Sequence, residues 1–153
     1  MHDIGNVVNR NDHAQTGAVM AFRILDKMGM EPADVAAVIT AIGHHDDPTA
    51  FPVNAIAAAL LLADKTDVRR SRVRNRDTIN FDIHDRVNYA VERSGLTLDQ
   101  ERRTVTLSLS INTEVCAVMD YFEIFLKRML LCRKAAEFFG LAFHLDINGQ
   151  DLL

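Results

Sequence analysis

The sequence predicts a mainly α protein, in which an α-helical domain is followed by a small α+β domain of helix-strand-helix-strand order. Two observations lead to this fold class. In the first half of the chain, apolar residues recur at the spacing of one helical face. In the second half, two short stretches alternate apolar and polar residues as half-buried strands do, and a helical pattern separates them.

The first half is predicted to contain three helices, over residues 14–28, 33–43 and 53–68. The first ends where Gly29 can serve as a C-terminal cap, and the second follows Pro32, a residue favoured in a first helical turn. The third is rich in alanine and leucine and should be largely buried. The stretch 46–52 is loop by composition. His44 and His45 are therefore expected at the end of the second helix.

The second half is predicted to contain a helix over 83–93, a strand over 105–111, a long helix from 113 or 114 to 139, and a strand over 141–147. Gly140 would cap the long helix. Both cysteines, Cys116 and Cys132, fall in that helix, roughly 24 Å apart along its axis, and are expected as small buried residues that cannot pair within it.

A basic run over residues 69–76 changes the character of the chain and divides it into domains 1–75 and 76–153. The second domain could dimerise, cover an active site or sense a ligand, and we expect a homodimer. The net charge of -4 argues against a general nucleic-acid-binding surface. Because the sequence has neither a signal peptide nor a long apolar run, we expect no membrane partner and a cytoplasmic location.

Histidines cluster near the start of the chain, where four of the six fall in the first 45 residues. They are His2, His13, His44 and His45, and Asp3 adjoins the first of them. Imidazole and carboxylate groups together favour Fe, Mn, Zn, Co or Ni, and the lack of a nearby cysteine argues against a structural zinc site. Adjacent residues of a helix point about 100° apart, so Asp3 could bridge two ions while His2 binds one.

A family resemblance rests on four motifs in this order: His2-Asp3-Ile4-Gly5, His13 with Ala14 to Ala18, His44-His45-Asp46, and Ala63-Asp64-Lys65. Together they resemble the HD superfamily of metal-dependent phosphohydrolases. The similarity is to the branch with extra histidines that includes cyclic-dinucleotide phosphodiesterases and bacterial dinucleotide polyphosphate hydrolases. It covers residues 1 to about 75 and implies an α-helical HD domain.

The resemblance implies that His2, Asp3 and Asp64 hold one metal ion and that Asp3 bridges to a second ion. His13, His44 and His45 would hold that second ion. We therefore expect two divalent ions, drawn from Fe, Mn, Zn, Co, Ni and Mg. The family's earliest metal-binding histidine, which lies on a helix before the His-Asp doublet, has no counterpart here, and the domain is expected to be truncated at its N-terminus.

Substrate binding is assigned to three basic residues that follow Asp64, namely Lys65, Arg69 and Arg70, since this stretch resembles the dinucleotide polyphosphate hydrolases. Arginine grips phosphate through a bidentate fork and lysine as a point charge. A solvated basic linker is an equally good interpretation. Cyclic dinucleotides are disfavoured because Asn6 and residues 46–49 replace the lysine and the Gly-Tyr-Pro motif of those enzymes.

The predicted activity is hydrolysis of a phosphate ester or anhydride, most simply of a nucleotide, by metal-bound hydroxide at a dinuclear centre. Asp3 and Lys65 are the predicted catalytic residues. Asp46 and Asp47 are either loop and capping residues or acceptors that orient a ligating histidine. The alternative is a non-catalytic nucleotide-binding or regulatory module on a degenerate HD fold.

Overall fold

The computed structural model describes residues 1–46, 48–73 and 83–152. The chain forms two compact units, Met1–Leu62 and Ala63–Leu153. The boundary predicted near residue 75 falls among residues 74–82, which lie outside the described part, as do Asp47 and the end of the basic run, so the domain limits 1–75 and 76–153 stay predictions. None of the described helices is long and apolar enough to cross a membrane.

The first unit is built from helices. A 3-10 turn, Ile4–Val7, precedes α1 (His13–Lys27) and α2 (Pro32–Gly43), and α3 (Ala55–Lys65) begins in this unit and ends in the second. The three helices predicted for the first half are thus observed. The third starts two residues later than expected because Asn54 caps it, with its side-chain oxygen accepting from the Ala57 amide at 2.7 Å.

The 3-10 turn lies directly against α1, and two glycines allow this approach. A Cβ atom on Gly5 would overlap the backbone of His13 and lie 2.7 Å from the Gly17 nitrogen. A Cβ atom on Gly17 would lie 3.2 Å from the His2 carbonyl oxygen. Only a residue without a side chain fits at Gly5, and the close contact brings His2 and Asp3 to the start of α1.

In its described residues, the second unit combines a 3-10 turn (Arg70–Arg72) and two α-helices with a mixed sheet. Its elements are α4 (Ile83–Ala90), β1 (Val91–Asp99), β2 (Thr104–Ile111), α5 (Val118–Phe138), β3 (Ala142–Ile147) and β4 (Gln150–Asp151). The strand order is β1-β2-β3-β4, with an antiparallel β1/β2 pair, a parallel β2/β3 pair and an antiparallel β3/β4 pair. The parallel pair is joined through α5, as a parallel connection requires.

The core of this unit lies between α5 and one face of the sheet. Val105, Leu107 and Leu109 of β2 stand beside Phe143, Leu145 and Ile147 of β3, and all six side chains are buried. The buried residues of α5 complete the core: Tyr121, Phe125, Met129, Leu131, Cys132, Ala135 and Ala136. This regular alternation explains why both strands could be recognised in the sequence.

The predicted fold class, a mainly α protein built on an α-helical HD domain, is wrong. The described residues form an α+β arrangement of five α-helices and a four-stranded mixed sheet. The helix predicted over 83–93 ends at Ala90, and the chain continues as β1, which the sequence analysis missed together with the short β4. Strand β1 carries Gly95 and four consecutive exposed residues, so it lacks the pattern of a buried face.

Candidate metal centre

Three histidines of the first unit are oriented by backbone carbonyl groups. The Nδ1 atom of His13, at the start of α1, lies 3.0 Å from the Arg10 oxygen. Nδ1 of His45 lies 2.6 Å from the Ile42 oxygen, and Nδ1 of His44 lies 2.9 Å from the Thr40 oxygen. A carbonyl oxygen only accepts hydrogen bonds, so each Nδ1 is the protonated nitrogen, and in this tautomer the acceptor lone pair lies on Nε2.

Two of these lone pairs converge on a carboxylate. Nε2 of His13 lies 3.3 Å from Nε2 of His45, and Oδ1 of Asp3 lies 3.2 Å from the first and 3.6 Å from the second. Both rings are buried, with 4% and 2% of their surface exposed. Three acceptors that face one another in this way repel unless a proton or a metal ion stands between them.

The three donor atoms also satisfy the geometric requirement for one metal ion. Atoms separated by 3.2 to 3.6 Å can all lie about 2 Å from one common point, which is the usual distance from Zn²⁺ to imidazole nitrogen or carboxylate oxygen. Imidazole and carboxylate are the ligand types that Zn, Fe, Co, Ni and Mn accept. The residues present therefore fit a bound divalent ion.

His2 stands on the other side of the Asp3 carboxylate. Its Nε2 atom lies 3.5 Å from Oδ2 of Asp3, and its ring packs edge-on against the ring of His45 at a centroid distance of 5.1 Å. His2, Asp3 and His45 each offer a ligand atom within 4.8 Å of the others. The two oxygens of Asp3 thus face different histidines, as a bridging carboxylate would require.

A cleft of about 580 Å³ opens beside His13. Its lining includes Arg10, Gln15, Asp46 and Thr49. The Asp46 carboxylate lies 3.6 Å from both His13 Nε2 and an Arg10 guanidinium nitrogen. Asp46 therefore contacts the Nε2 atom of His13, the candidate metal donor, rather than the Nδ1 side of the ring, and it could serve as a further oxygen ligand. Asp47, its neighbour in the sequence analysis, lies outside the described residues.

The other predicted ligands take different positions. His44 follows α2 directly, with Nδ1 held by Thr40, and its Nε2 is not among the donor contacts found within the described part of the chain. Asp64 belongs to the second unit, near the end of α3. There its Oδ2 atom lies 2.8 Å from Nζ of Lys65, whose side chain is buried. The roles of His44 and Asp64 as ligands stay predictions.

The basic residues predicted to bind substrate are also in the second unit, and each makes an ion pair there. Arg69 contacts Asp67 at 2.8 Å, and Arg72 contacts the same carboxylate at 2.7 Å. Arg70 donates to the Tyr89 carbonyl oxygen at 2.8 Å, stacks over the Tyr89 ring and lies 3.6 Å from Glu92. Their assignment to substrate binding stays a prediction, as does that of Lys65.

Three residues that shape this centre were not among the predicted site residues: Gly5 and Arg10 had no assigned role, and that of Asp46 was left open. Gly5 permits the close approach of the His-Asp doublet to α1, while Arg10 and Asp46 both contact His13 Nε2. No helical spacing signals the contact of Arg10 with His13, because Arg10 lies in the segment before α1. The contact of Asp46 with His13 joins residues 33 positions apart and depends on how α1 and α2 pack.

The first unit is therefore a helical scaffold that gathers imidazole and carboxylate donors from three segments of the chain. Comparison of the chain with models of known families, with curated proteins and with solved structures found no match. Functional assignment thus depends on the geometry of the donors and on the order of the motifs.

Proposed function

We propose that this protein is a divalent-metal-dependent phosphohydrolase that cleaves a phosphate ester or anhydride, with a nucleotide as the substrate class. The observation that carries the proposal is the convergence of Asp3 Oδ1, His13 Nε2 and His45 Nε2 within 3.6 Å of one another. The Nδ1 atoms of both rings face backbone carbonyl groups, so the atoms that meet are the two Nε2 acceptors.

Each residue of the centre has a distinct task. His13 and His45 supply neutral nitrogen ligands whose ring orientation is fixed by Arg10 and Ile42 carbonyl oxygens. Asp3 supplies charge and, with Oδ2 turned towards His2, is suited to join two ligand sets. A bound divalent ion would polarise a phosphoryl oxygen and lower the pKa of a coordinated water molecule.

The substrate class rests on two supports. The order of the motifs resembles that of a superfamily that hydrolyses phosphate esters and anhydrides. The cleft beside His13, at about 580 Å³, lies within the range of roughly 300–1,000 Å³ that is usual for small-molecule sites. A phosphate group in this cleft would lie next to the donor atoms.

One observation favours the second candidate, a non-catalytic nucleotide-binding module. Asp64, which the family resemblance makes a ligand of the first ion, has its carboxylate 2.8 Å from the buried Lys65 ammonium group. A carboxylate neutralised by such a partner is a poorer metal ligand than a free one. A protein with one ion and no second would bind a phosphate compound without the two-metal clamp that assists its cleavage.

Metal content distinguishes these candidates, measured by plasma mass spectrometry on protein purified without chelator or metal-affinity resin. We expect at least one ion per chain in the wild type. His45→Ala removes a ligand and should weaken binding at least about a hundredfold, because even partners of ligands contribute ten- to a hundredfold. His44→Ala is the matched neighbour, and it should keep the ion bound by Asp3, His13 and His45, because the Nε2 atom of His44 is not among the donor contacts of the described residues.

The same preparations are then assayed for phosphate or nucleotide release from a panel of nucleotides and simple phosphoesters. Activity in the wild type that His45→Ala abolishes supports the phosphohydrolase. A wild type that binds metal and nucleotide without any turnover supports the binding module. A wild type that remains free of metal after reconstitution contradicts the phosphohydrolase and leaves the non-catalytic module.

A further inference from the structure

Arg10 is a cationic side chain in contact with the donor cluster. One guanidinium nitrogen, Nη1, lies 3.3 Å from His13 Nε2 and 3.4 Å from the side-chain oxygen of Asn6. The other, Nη2, lies 3.6 Å from Asp46 Oδ2. The arginine side chain is 68% exposed and lines the cleft beside His13. It therefore reaches from solvent to the edge of the centre.

Arg10 and a metal ion compete for the same lone pair. An imidazole ring has one acceptor nitrogen when its other nitrogen is protonated, and in His13 that acceptor is Nε2. Arginine has only N–H donors, so the 3.3 Å contact uses the Nε2 lone pair. When this lone pair is given to a metal ion, Nη1 loses its contact with His13, while Asn6 and Asp46 stay within reach of the guanidinium. One hydrogen-bonding position of Arg10 then becomes available to another acceptor.

The cleft provides a place for such an acceptor. Its lining also includes the start of α1, Gln15 and the hydroxyl group of Thr49. Two carboxylates, Asp12 and Asp46, line it as well and repel an anion. An anion should enter only when both Arg10 and a bound cation offset these charges. A phosphate group suits the site because its oxygens match the fork of a guanidinium.

We propose that Arg10 is a phosphate-binding residue of the metal centre, whose guanidinium exchanges His13 for a substrate phosphate when the His13 lone pair is given to a metal ion. The inference rests on the proposed function and adds the residue that recognises the substrate phosphate. It also means that metal binding and phosphate binding strengthen each other. The metal ion displaces Arg10 from His13, and the phosphate gives the displaced guanidinium a better acceptor.

The exchange predicts opposite effects of one substitution on the two ligands. Arg10→Gln removes the competitor for His13, so Co²⁺ should bind several-fold more tightly in the absence of phosphate. The same substitution removes a charge-assisted hydrogen bond, so inorganic phosphate should bind the Co²⁺-loaded protein about tenfold more weakly. A residue with a merely structural role would weaken both. Arg10→Lys keeps the charge without the bidentate fork. Its affinities for Co²⁺ and phosphate should lie between those of the wild type and those of Arg10→Gln.

Co²⁺ binding is followed by its visible absorption and by competition with a chromophoric chelator, and phosphate binding by calorimetry on metal-free and Co²⁺-loaded protein. Arg23→Gln is the matched control, because Arg23 is also 68% exposed and contacts a carboxylate on α1. We expect no phosphate binding to metal-free protein and wild-type values for Arg23→Gln.

The possible results are separable. Tighter Co²⁺ binding with weaker phosphate binding in Arg10→Gln supports the exchange. Equal phosphate affinities in the wild type and Arg10→Gln overturn it, while Co²⁺ binding by the wild type leaves the proposed function standing. Lower affinity for both ligands in Arg10→Gln also overturns it. A wild type that binds no Co²⁺ overturns this inference and the proposed function together.

Discussion

The two units treat charged and polar groups in opposite ways. In the second unit, each basic residue predicted to bind substrate has an acidic partner, which for Lys65 and Arg69 lies within two positions along the chain. In the first unit, Asp3, His13 and His45 come from three segments and meet with acceptor atoms facing one another. Charges neutralised within a local segment need no ligand, whereas converging acceptors need a proton or a metal ion between them.

The difference also separates two kinds of sequence signal. A run of arginines is conspicuous in a sequence, yet the described part of this run is tied up in ion pairs with Asp67 and Glu92. The single Arg10 has no comparable signal in the sequence, although it contacts the donor cluster. The position of a charge relative to unsatisfied groups decides its use, and the density of charge along the chain does not.

The largest expected loss of stability and metal binding comes from a substitution that prevents the 3-10 turn from lying against α1. Gly5→Ala would place a methyl group against the backbone of His13 and 2.7 Å from the Gly17 nitrogen, and backbone atoms of a helix cannot move aside as a flexible side chain can. We expect the free energy of unfolding to fall by about 3 kcal/mol and metal binding to be lost. Thermal unfolding and metal content measure the two effects.

Gly43→Ala is the control for this prediction, because a Cβ atom there meets only the Ala18 side chain at 3.8 Å, an ordinary contact. It should bind metal as the wild type does. Normal metal content in Gly5→Ala would show that the His-Asp doublet reaches the donors of α1 without the close backbone contact. The comparison between the units would then lose its structural basis.

The next largest effect is expected from Lys65→Met, which tests whether the Lys65–Asp64 pair acts only within the second unit. Lys65 is 5% exposed, and Lys65→Met would leave the Asp64 carboxylate largely buried without its ammonium partner. Breaking a buried pair in this way costs about 3 kcal/mol or more. We expect chemical denaturation to show this loss while the metal content per chain stays the same.

Lys127→Met, at an exposed position of α5, is the matched control and should be close to neutral. The double variant Lys65→Met with Asp64→Leu should recover part of the lost stability, since replacing both partners by apolar groups is far less costly than removing one. A fall in metal content in Lys65→Met would instead link this pair to the centre, as the family resemblance implies for Asp64.

Much of the local structure was predictable from the sequence because its signals are local. The three helices of the first half and strands β2 and β3 follow from apolar spacing and from caps such as Gly29 and Gly140. Strand β1 could not be predicted in this way. Leu96 and Leu98 remain 42% and 54% exposed, and the strand is defined by its pairing with β2. Its existence depends on partners in β2 that lie between 5 positions away, for Asp99 and Thr104, and 20 positions away, for Val91 and Ile111.

The candidate site also has residues that the sequence could identify and a choice that it could not make. The order of the His and Asp motifs allowed His2, Asp3, His13 and His45 to be named together, and the structure brings these four side chains close to one another. Their role as ligands stays a prediction. His44 and His45 are adjacent in sequence, so no pattern could tell which of them faces Asp3. That choice is made by the turn after α2, where each ring bonds to a different carbonyl.

The effect that is smallest at neutral pH concerns a titratable group that the second unit keeps uncharged. Burial raises the pKa of the Cys132 thiol on α5 to about 12, although the positive charge of Lys65 acts in the opposite direction. The folded protein thus retains a proton that the unfolded chain releases near pH 9, its ordinary value. Stability from this group is complete below pH 9 and declines by about 1.4 kcal/mol per pH unit as the pH rises towards 12.

Cys132→Ala should therefore reduce the slope of unfolding free energy against pH between pH 9 and 12, with a small constant loss at neutral pH from the missing sulfur. The thiolate itself is followed by ultraviolet absorption in a Cys116→Ala background, which leaves Cys132 as the one thiol of the chain. Asp64→Asn in that background shows how far Asp64 offsets the charge of Lys65. Because Asp64 opposes the effect of Lys65 on this thiol, removal of the Asp64 charge should lower the pKa of Cys132. An unchanged pKa would mean that Asp64 does not neutralise Lys65, and the contrast between the two units would fail at its central pair.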